Sequence, residues 1–377
     1  MSGPLRIGIC CYPTYGGSGA VATELGMALA ERGHEIHFLS YARPARLAAF
    51  HPRVTFHRVE VSSYPLFRYP PYDLALASVM REVADTHRLD VLHVHYAIPH
   101  AVSAVLARAM LGRRVPHIVT TLHGTDITIV GAEHSYFHPT RYGIEESDAV
   151  TTVSEWLRAE TVRIFFPQKE IRVLPNFVDT VRFRPVECAQ TREWLGLCGE
   201  PTLAHVSNFR PVKRVGDVVS IFARITRRRP ARLLLAGDGP DRQLAEDIAR
   251  DEGVLDRVRF LGEQEHVERV LACADLFLLP SESESFGLAA LEAMACGVPV
   301  VGTRAGGLPE VVDDGVTGAL VGIGDVDAAA DAATALLEDA PRLRMMSAAA
   351  RRVAEERFGL SAVVGRYEAL YEELCSG

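Results

Sequence analysis

The stretch Ser281-Glu282-Ser283-Glu284-Ser285-Phe286-Gly287-Leu288-Ala289-Ala290-Leu291-Glu292-Ala293-Met294-Ala295-Cys296-Gly297 decides how the rest of the chain is read. An apolar run, Leu276-Phe277-Leu278-Leu279, stops before it at Pro280, and Pro299-Val300-Val301 follows it. The order is strand, polar loop, apolar helix from Gly287 to Gly297, and strand again. The helix N-terminus then lies at the carboxyl end of the first strand, where unpaired N–H groups and partial positive charge favour phosphate. Glu284 in the loop and Glu292 in the helix bracket that terminus, with seven residues between them. Carboxylates do not bind phosphate, but they accept hydrogen bonds from sugar hydroxyls. The unit reads as a cradle for a nucleotide sugar: diphosphate at the helix tip, ribose toward one carboxylate, hexose toward the other. Two solvated glutamates on a loop and a helix are the competing reading of the same spacing.

Working outward, the same alternation runs through the whole chain. Strands are expected at 7–11, 36–39, 54–61, 91–95, 117–121 and 149–153. Helices are expected at 20–32, 73–87, 99–111 and 155–165, with Ser154 capping the last. The run 174–185, with prolines at both ends, is irregular and reads as a linker. The alternation restarts with strands at 202–206, 232–236, 258–261, 276–279, 300–301 and 318–321. Helices at 215–228, 241–251, 265–272, 325–337, 341–357 and 360–374 intervene or follow. Serial βα units predict an α/β fold of two doubly wound Rossmann-like domains, with ligands at the carboxyl ends of the strands in a cleft. The boundaries are 1–175, completed by a returning helix at 358–377, and 182–357.

Length and composition agree with this reading. A chain of 377 residues suits two domains. A net charge of −8 disfavours a general nucleic-acid or anionic-membrane surface. No apolar run approaches the ~20 residues that span a bilayer. Met1 to Ile7 leads almost directly into a strand, without a signal peptide, so a cytoplasmic location is expected. Seven scattered cysteines read as reduced thiols.

Four other strand-end loops carry candidate chemistry. Ser207-Asn208-Phe209-Arg210-Pro211-Val212-Lys213-Arg214 concentrates cations that suit a diphosphate. Tyr12-Pro13-Thr14-Tyr15-Gly16-Gly17-Ser18-Gly19 permits close backbone approach to a ligand, with Ser18 able to cap the next helix; it is neither a dinucleotide fingerprint nor a P-loop. A simple tight turn is the alternative. Thr120-Thr121-Leu122-His123-Gly124-Thr125-Asp126-Ile127 offers hydroxyls and a histidine, and Val91-Leu92-His93-Val94-His95-Tyr96 ends on a tyrosine in the same setting. His93 and His95 share a strand face without an acidic partner and read as packing and hydrogen-bonding groups. The backbone of Gly262-Glu263-Gln264-Glu265-His266 is placed to read a base edge, and Gly306-Gly307-Leu308-Pro309-Glu310 reads as a structural turn. Asp325-Val326-Asp327 resembles a metal–nucleotide D-x-D but starts a helix, where carboxylates favour the dipole, and no metal ligands are assigned.

The segment from Glu284 to Glu292, with Ser285-Phe286-Gly287 between, resembles the E-x7-E signature of retaining GT-B glycosyltransferases of family 4. The resemblance extends over essentially the whole chain. It implies a GT-B fold with the last helix crossing back to the first domain, and transfer from a nucleotide sugar without a metal cofactor. Cys11-Tyr12-Pro13-Thr14 with Gly16-Gly17-Ser18-Gly19, His93 to His100, and Thr121 to Ile127 narrow it further. They are similar to members that move N-acetylglucosamine from UDP-N-acetylglucosamine to the hydroxyl of L-malate, giving an α-linked product in bacillithiol biosynthesis. Tyr41-Ala42-Arg43-Pro44-Ala45 and Gly131-Ala132-Glu133-His134 depart from that likeness.

By resemblance, Glu292 binds ribose, while Glu284 with the Phe286 and Gly287 amides binds hexose and phosphate. Arg210 and Lys213 hold the departing UDP. Gly17, Gln264 and Leu288 complete the donor site. Ser18, Tyr96, Thr121 and Asn208 border the acceptor, with His123 beside the reacting carbon. Another small acceptor such as an inositol phosphate, and a nucleotide-sugar epimerase or hydrolase, are the alternatives. A homodimer stays open.

Overall fold

The computed structural model describes residues 3–14, 17–47, 50–112, 115–197 and 199–376. Tyr15 and Gly16 of the glycine-rich loop, and Cys198, lie outside the described residues. The chain divides into two compact units, Met1–Asn176 with Leu360–Gly377, and Phe177–Gly359.

The first unit has strands β1 (Arg6–Cys10), β2 (Glu35–Ser40), β3 (Val54–Arg58), β4 (Val91–His95), β5 (His117–Leu122), β6 (Ala149–Thr152) and β7 (Ile171–Val173). They form one parallel sheet in the order β3-β2-β1-β4-β5-β6-β7. Its helices are α1 (Ser18–Glu31), α2 (Tyr72–His87), α3 (Val102–Ala109), α4 (His134–Glu146) and α5 (Glu155–Phe165). β1 and β4 are buried almost throughout, as central parallel strands covered on both faces must be. Leu39, Leu92, Val94 and Ile118 pack under Leu76, Met80, Val83 and Ala104 of the helices on one face.

The second unit opens with helix α6 (Ala189–Trp194). Its strands are β8 (Thr202–Val206), β9 (Arg232–Ala236), β10 (Val258–Gly262), β11 (Leu276–Leu279), β12 (Val300–Thr303) and β13 (Gly318–Val321). All run parallel in the order β10-β9-β8-β11-β12-β13. The helices between and after them are α7 (Val215–Thr226), α8 (Arg242–Asp251), α9 (Val267–Leu271), α10 (Leu288–Ala295), α11 (Leu308–Val311), α12 (Val326–Glu338) and α13 (Ala340–Phe358). Val218, Phe222 and Ile225 of α7 and Ala330, Ala333 and Leu337 of α12 close one face of this sheet.

The final helix, α14 (Leu360–Ser376), belongs to the first unit, as the resemblance implied. Tyr367 and Tyr371 are buried there, and Arg172 pairs with Glu373 at 2.6 Å.

Several local expectations need correction. The strand expected over 54–61 ends at Arg58. The helix expected from Pro99 becomes one wide turn, Ala97–Ala101, containing an extended Ile98, and regular helix starts only at Val102. Ser18 does not cap α1: it is the first helical residue, and Gly17 before it supplies no side chain. α4 was not foreseen, because Pro139 interrupts its pattern; Gly143, packed on Ala97 and Ala101, anchors it. Ser154 does cap α5, accepting from the Leu157 N–H at 3.1 Å.

Candidate active site

In each unit the strand order reverses beside the first strand of its sheet, and a doubly wound sheet binds ligands at that point. In the second unit the reversal lies between β8 and β11. The loop after β8 is Ser207–Arg214, and the loop after β11 is the Glu284 segment. The topology alone makes these two loops neighbours. A backbone bond from Glu282 N–H to the Val212 carbonyl, 2.8 Å, ties them together.

Lys213 Nζ donates to Glu284 Oε1 at 2.7 Å, and Ser281 Oγ donates to the same oxygen at 2.8 Å. Glu284 is buried and Lys213 half-buried, so the pair is partly withdrawn from solvent. Gly307 N–H donates to the Glu284 carbonyl at 2.7 Å. A side chain on Gly306, which has φ +58°, would collide with that carbonyl. The Gly306-Gly307 turn is therefore the clamp on the Glu284 backbone, consistent with its reading as a structural turn.

α10 starts at Leu288, with Gly287 as its N-cap and no side chain capping it. Its first-turn N–H groups keep their capacity to meet an anion. The Phe286 ring is buried edge-on to Phe358, so only its backbone faces the loop chemistry. Glu292 is buried on the second turn of α10. Arg210 is exposed beside Lys213, as is Asn208. Arg214 points elsewhere: its Nε pairs with Asp217 of α7 at 2.7 Å.

Sequence reading missed His205 and Ser207 as supports of this loop. His205 Nδ1 donates to the Leu278 carbonyl at 2.8 Å, which leaves Nε2 to accept the Ser207 hydroxyl at 2.8 Å. Ser207 Oγ in turn accepts the Phe209 N–H at 3.2 Å. Burial holds the His205 ring down to about 4, so it stays neutral and keeps that tautomer. An alternating His-x-Ser at a strand end was the only signal.

Gln264 follows β10, at the sheet edge. It lines a cavity of about 740 Å³ with Thr191, Trp194, Phe260, His266 and Arg269.

In the first unit the reversal lies between β1 and β4. The glycine-rich loop follows β1, and Tyr96 follows β4 with φ +90°. The Tyr96 ring is 5.4 Å from that of His123 and 5.3 Å from that of Tyr12. His123 Nε2 lies 2.8 Å from His95 Nδ1, and the two rings stack. Asp126, fully buried, accepts the N–H groups of Ala97, His123 and Gly124 at 2.9–3.1 Å and so fixes the loops after β4 and β5 together. Desolvation raises its carboxyl to about 6. Desolvation also lowers His93 and His123 to about 3 and His100 to about 4, and holds His95 well below the usual imidazole value. The four rings are uncharged at neutral pH. The buried Nε2 atoms of His95 and His100 have no hydrogen-bond partner among the described residues, a cost that tends to mark functional ground.

Thr121 sits one layer deeper than an acceptor contact would. Its hydroxyl is fully buried, 2.7 Å from both His93 Nε2 and Thr151 Oγ1, and His93 Nδ1 meets the Tyr371 hydroxyl at 2.7 Å. Ser18 and Gly17 stand at the N-terminus of α1.

The described cysteines are free thiols. Asp325 caps α12 by accepting Ala328 N–H at 3.0 Å, and Asp327 pairs with Arg224, so both carboxylates have structural work. Sequence reading assigned no metal ligands, yet His37, His57 and His87 converge in the first unit. They come from three separate elements, so no local spacing announces them. No helix among the described residues is long and apolar enough to cross a membrane.

Comparison with known proteins extends the picture. Residues 15–182 match the family model described as Glycosyltransferase Family 4, and residues 192–353 match Glycosyl transferases group 1. The chain is 50% identical over 371 residues to the N-acetyl-alpha-D-glucosaminyl L-malate synthase of Bacillus anthracis, covering 98% of this chain and 97% of that one. It is 33% identical to a GDP-mannose-dependent alpha-(1-6)-phosphatidylinositol monomannoside mannosyltransferase of Mycolicibacterium smegmatis, over 77% of this chain and 79% of that one. Sucrose-phosphate synthase from Thermosynechococcus elongatus shares the fold with a TM-score of 0.84 at 23% identity, over 99% of each chain. That fold is GT-B.

Proposed function

From its place among the family 4 glycosyltransferases, to which this chain belongs, we propose that it transfers N-acetylglucosamine from UDP-N-acetylglucosamine to the hydroxyl of L-malate, with retention, as the first step of bacillithiol biosynthesis. The observation that carries this reading is the 50% identity to a synthase of that name across nearly all of both chains.

The second unit holds the donor. The diphosphate lies against the uncapped start of α10, at the Gly287 and Leu288 amides and the Phe286 backbone, with Arg210 and Lys213 as cations. Glu292 accepts from the ribose hydroxyls and Glu284 from the hexose. The cavity beside Gln264 supports a base site there. The first unit holds the acceptor through Ser18, Tyr96 and His123, and Asn208 borders the reacting carbon. Thr121 supports this group from beneath through its bond to His93.

Departure of UDP places negative charge on its β-phosphate, which Lys213, Arg210 and the helix amides stabilise. The bond from the anomeric carbon to the phosphate oxygen breaks, and a bond to the malate oxygen forms on the same face. The malate hydroxyl proton passes to the departing phosphate oxygen. His123 is neutral and donates or accepts one hydrogen bond without bringing charge to the malate carboxylates. No metal enters the mechanism, and the enzyme acts in the cytoplasm.

The test is release of UDP from UDP-N-acetylglucosamine with and without L-malate, followed by product mass. Malate-dependent release and a glucosaminyl malate mass are expected. Release driven by an inositol phosphate instead, or by water alone, would replace this reading with another acceptor or with hydrolysis.

A further inference from the structure

We propose that His37, His57 and His87 form a binding site for a divalent transition-metal ion of the zinc class, apart from the residues assigned to transfer. His37 and Leu39 share one face of β2, and Leu39 pairs with His57 across the β2–β3 ladder. His37 and His57 therefore project to the same side of the sheet. His87 is the last residue of α2, which packs against that side. β1 and β4 intervene between β2 and β5, the strand that carries His123 at its end.

One ring nitrogen from each histidine lies within 4.8 Å of the other two. The His37 ring is centred 4.2 Å from that of His87 and 5.2 Å from that of His57. His37 Nδ1 and His57 Nε2 are 2.9 Å apart, the separation of a shared proton. Zinc–nitrogen bonds of about 2.0–2.1 Å in tetrahedral array place such nitrogens roughly 3.3 Å apart. An ion in place of the proton needs only a small opening between these two nitrogens, and the His57 and His87 rings are half-buried.

The proton arrangement fits an ion. His37 Nε2 donates to Glu35 Oε1 at 3.1 Å, so its Nδ1 presents a lone pair toward the other rings. A carboxylate behind a ligating imidazole fixes its tautomer and raises its basicity. Binding moves the His57 proton to its Nδ1, with no net proton released. Desolvation and mutual repulsion hold His37 down to about 4 and lower His57, so these two rings favour the neutral form that ligates. Glu82 adds negative potential near His57. Three imidazoles suit zinc, copper or nickel over magnesium or calcium. Two half-buried rings leave a fourth position to solvent.

The test uses the untagged, chelator-stripped full chain, titrated with Zn²⁺ by calorimetry and with Co²⁺ by visible absorption. One ion per chain is expected, with a Co²⁺ band that Zn²⁺ displaces. His57→Gln and His87→Gln should each weaken binding at least tenfold, and Glu35→Gln by about 10- to 100-fold. Malate-dependent UDP release by His87→Gln should equal that of the parent chain, with or without zinc. Absence of stoichiometric binding would overturn the proposal. So would binding unchanged in these variants, which would place the ion on other histidines. Should one variant fail to fold by circular dichroism, the Co²⁺ spectrum of the parent chain and the remaining variants decide. The metal titrations are independent of whether the chain makes glucosaminyl malate.

Discussion

Lys213 Nζ and Glu284 Oε1 are 2.7 Å apart, so the cation assigned to the diphosphate and the carboxylate assigned to the hexose hold each other. Their roles are coupled. Lys213→Ala removes a phosphate partner and also leaves a buried carboxylate with Ser281 as its side-chain donor. It should slow turnover by about 10²–10³-fold and destabilise the fold by about 1–3 kcal/mol. Urea melts of Lys213→Ala, Glu284→Gln and the double variant check this: the double variant should recover part of the stability lost in Lys213→Ala. Full turnover in Lys213→Ala would remove the cation from the mechanism.

Arg210 differs from Lys213 in being exposed. Arg210→Ala should lower turnover by a comparable factor of about 10²–10³ while leaving the urea midpoint unchanged. Equal loss of stability in both variants would contradict the distinction.

Glu292 is buried within α10, and its assigned ribose contacts are the same in ground and transition states. Glu292→Gln should weaken UDP binding by about 10- to 150-fold, the equivalent of losing a charged hydrogen bond of about 1.5–3 kcal/mol. Turnover at saturating donor should change far less. Calorimetry with UDP beside saturation kinetics separates the two. A large fall in turnover with unchanged UDP affinity would refute the ribose role.

Acid should unfold the protein early. The folded chain protonates His93 and His123 only near 3, and His37, His100 and His205 near 4, whereas free imidazole does so near 6.5. Their contribution is fully present above about pH 6.5 and is lost as pH falls toward the folded values. Asp126 acts oppositely: raised to about 6, its contribution is complete below 3.8 and is lost as pH rises through 6. Five rings outweigh one carboxyl. The melting temperature should therefore fall steadily from pH 6.5 to 4, and a flat profile would show that the rings are not held neutral.

Much of the proposed donor site could be drawn from sequence because its residues follow one another along the chain. Glu284, Gly287 and Glu292 lie within one strand–loop–helix unit, and the βα alternation sets that unit at a strand end. What the linear pattern conceals is pairing across elements. Nothing in the spacing of Lys213 and Glu284 says they bond, since that requires β8 beside β11. Thr121 looks like a loop hydroxyl in sequence, but its strand register turns it inward to His93. His37, His57 and His87 meet only through the β2–β3 register and the end of α2. α4 was hidden by Pro139, whose local cost the packing of Gly143 offsets.

The most direct test of same-face transfer is the proton NMR spectrum of the product formed from UDP-N-acetylglucosamine and L-malate, with chelator present. Glu284, the glutamate proposed for the hexose, is bound to Lys213 and Ser281, an arrangement suited to holding hydroxyls rather than to abstracting a proton from the opposite face. The phosphate oxygen is left to take the malate proton, which keeps the donor's configuration. The account predicts an anomeric signal with a small H1–H2 coupling, an α-glucosaminyl malate, at a rate unaffected by the chelator. A large H1–H2 coupling, meaning a β product, would contradict it even with malate as the acceptor.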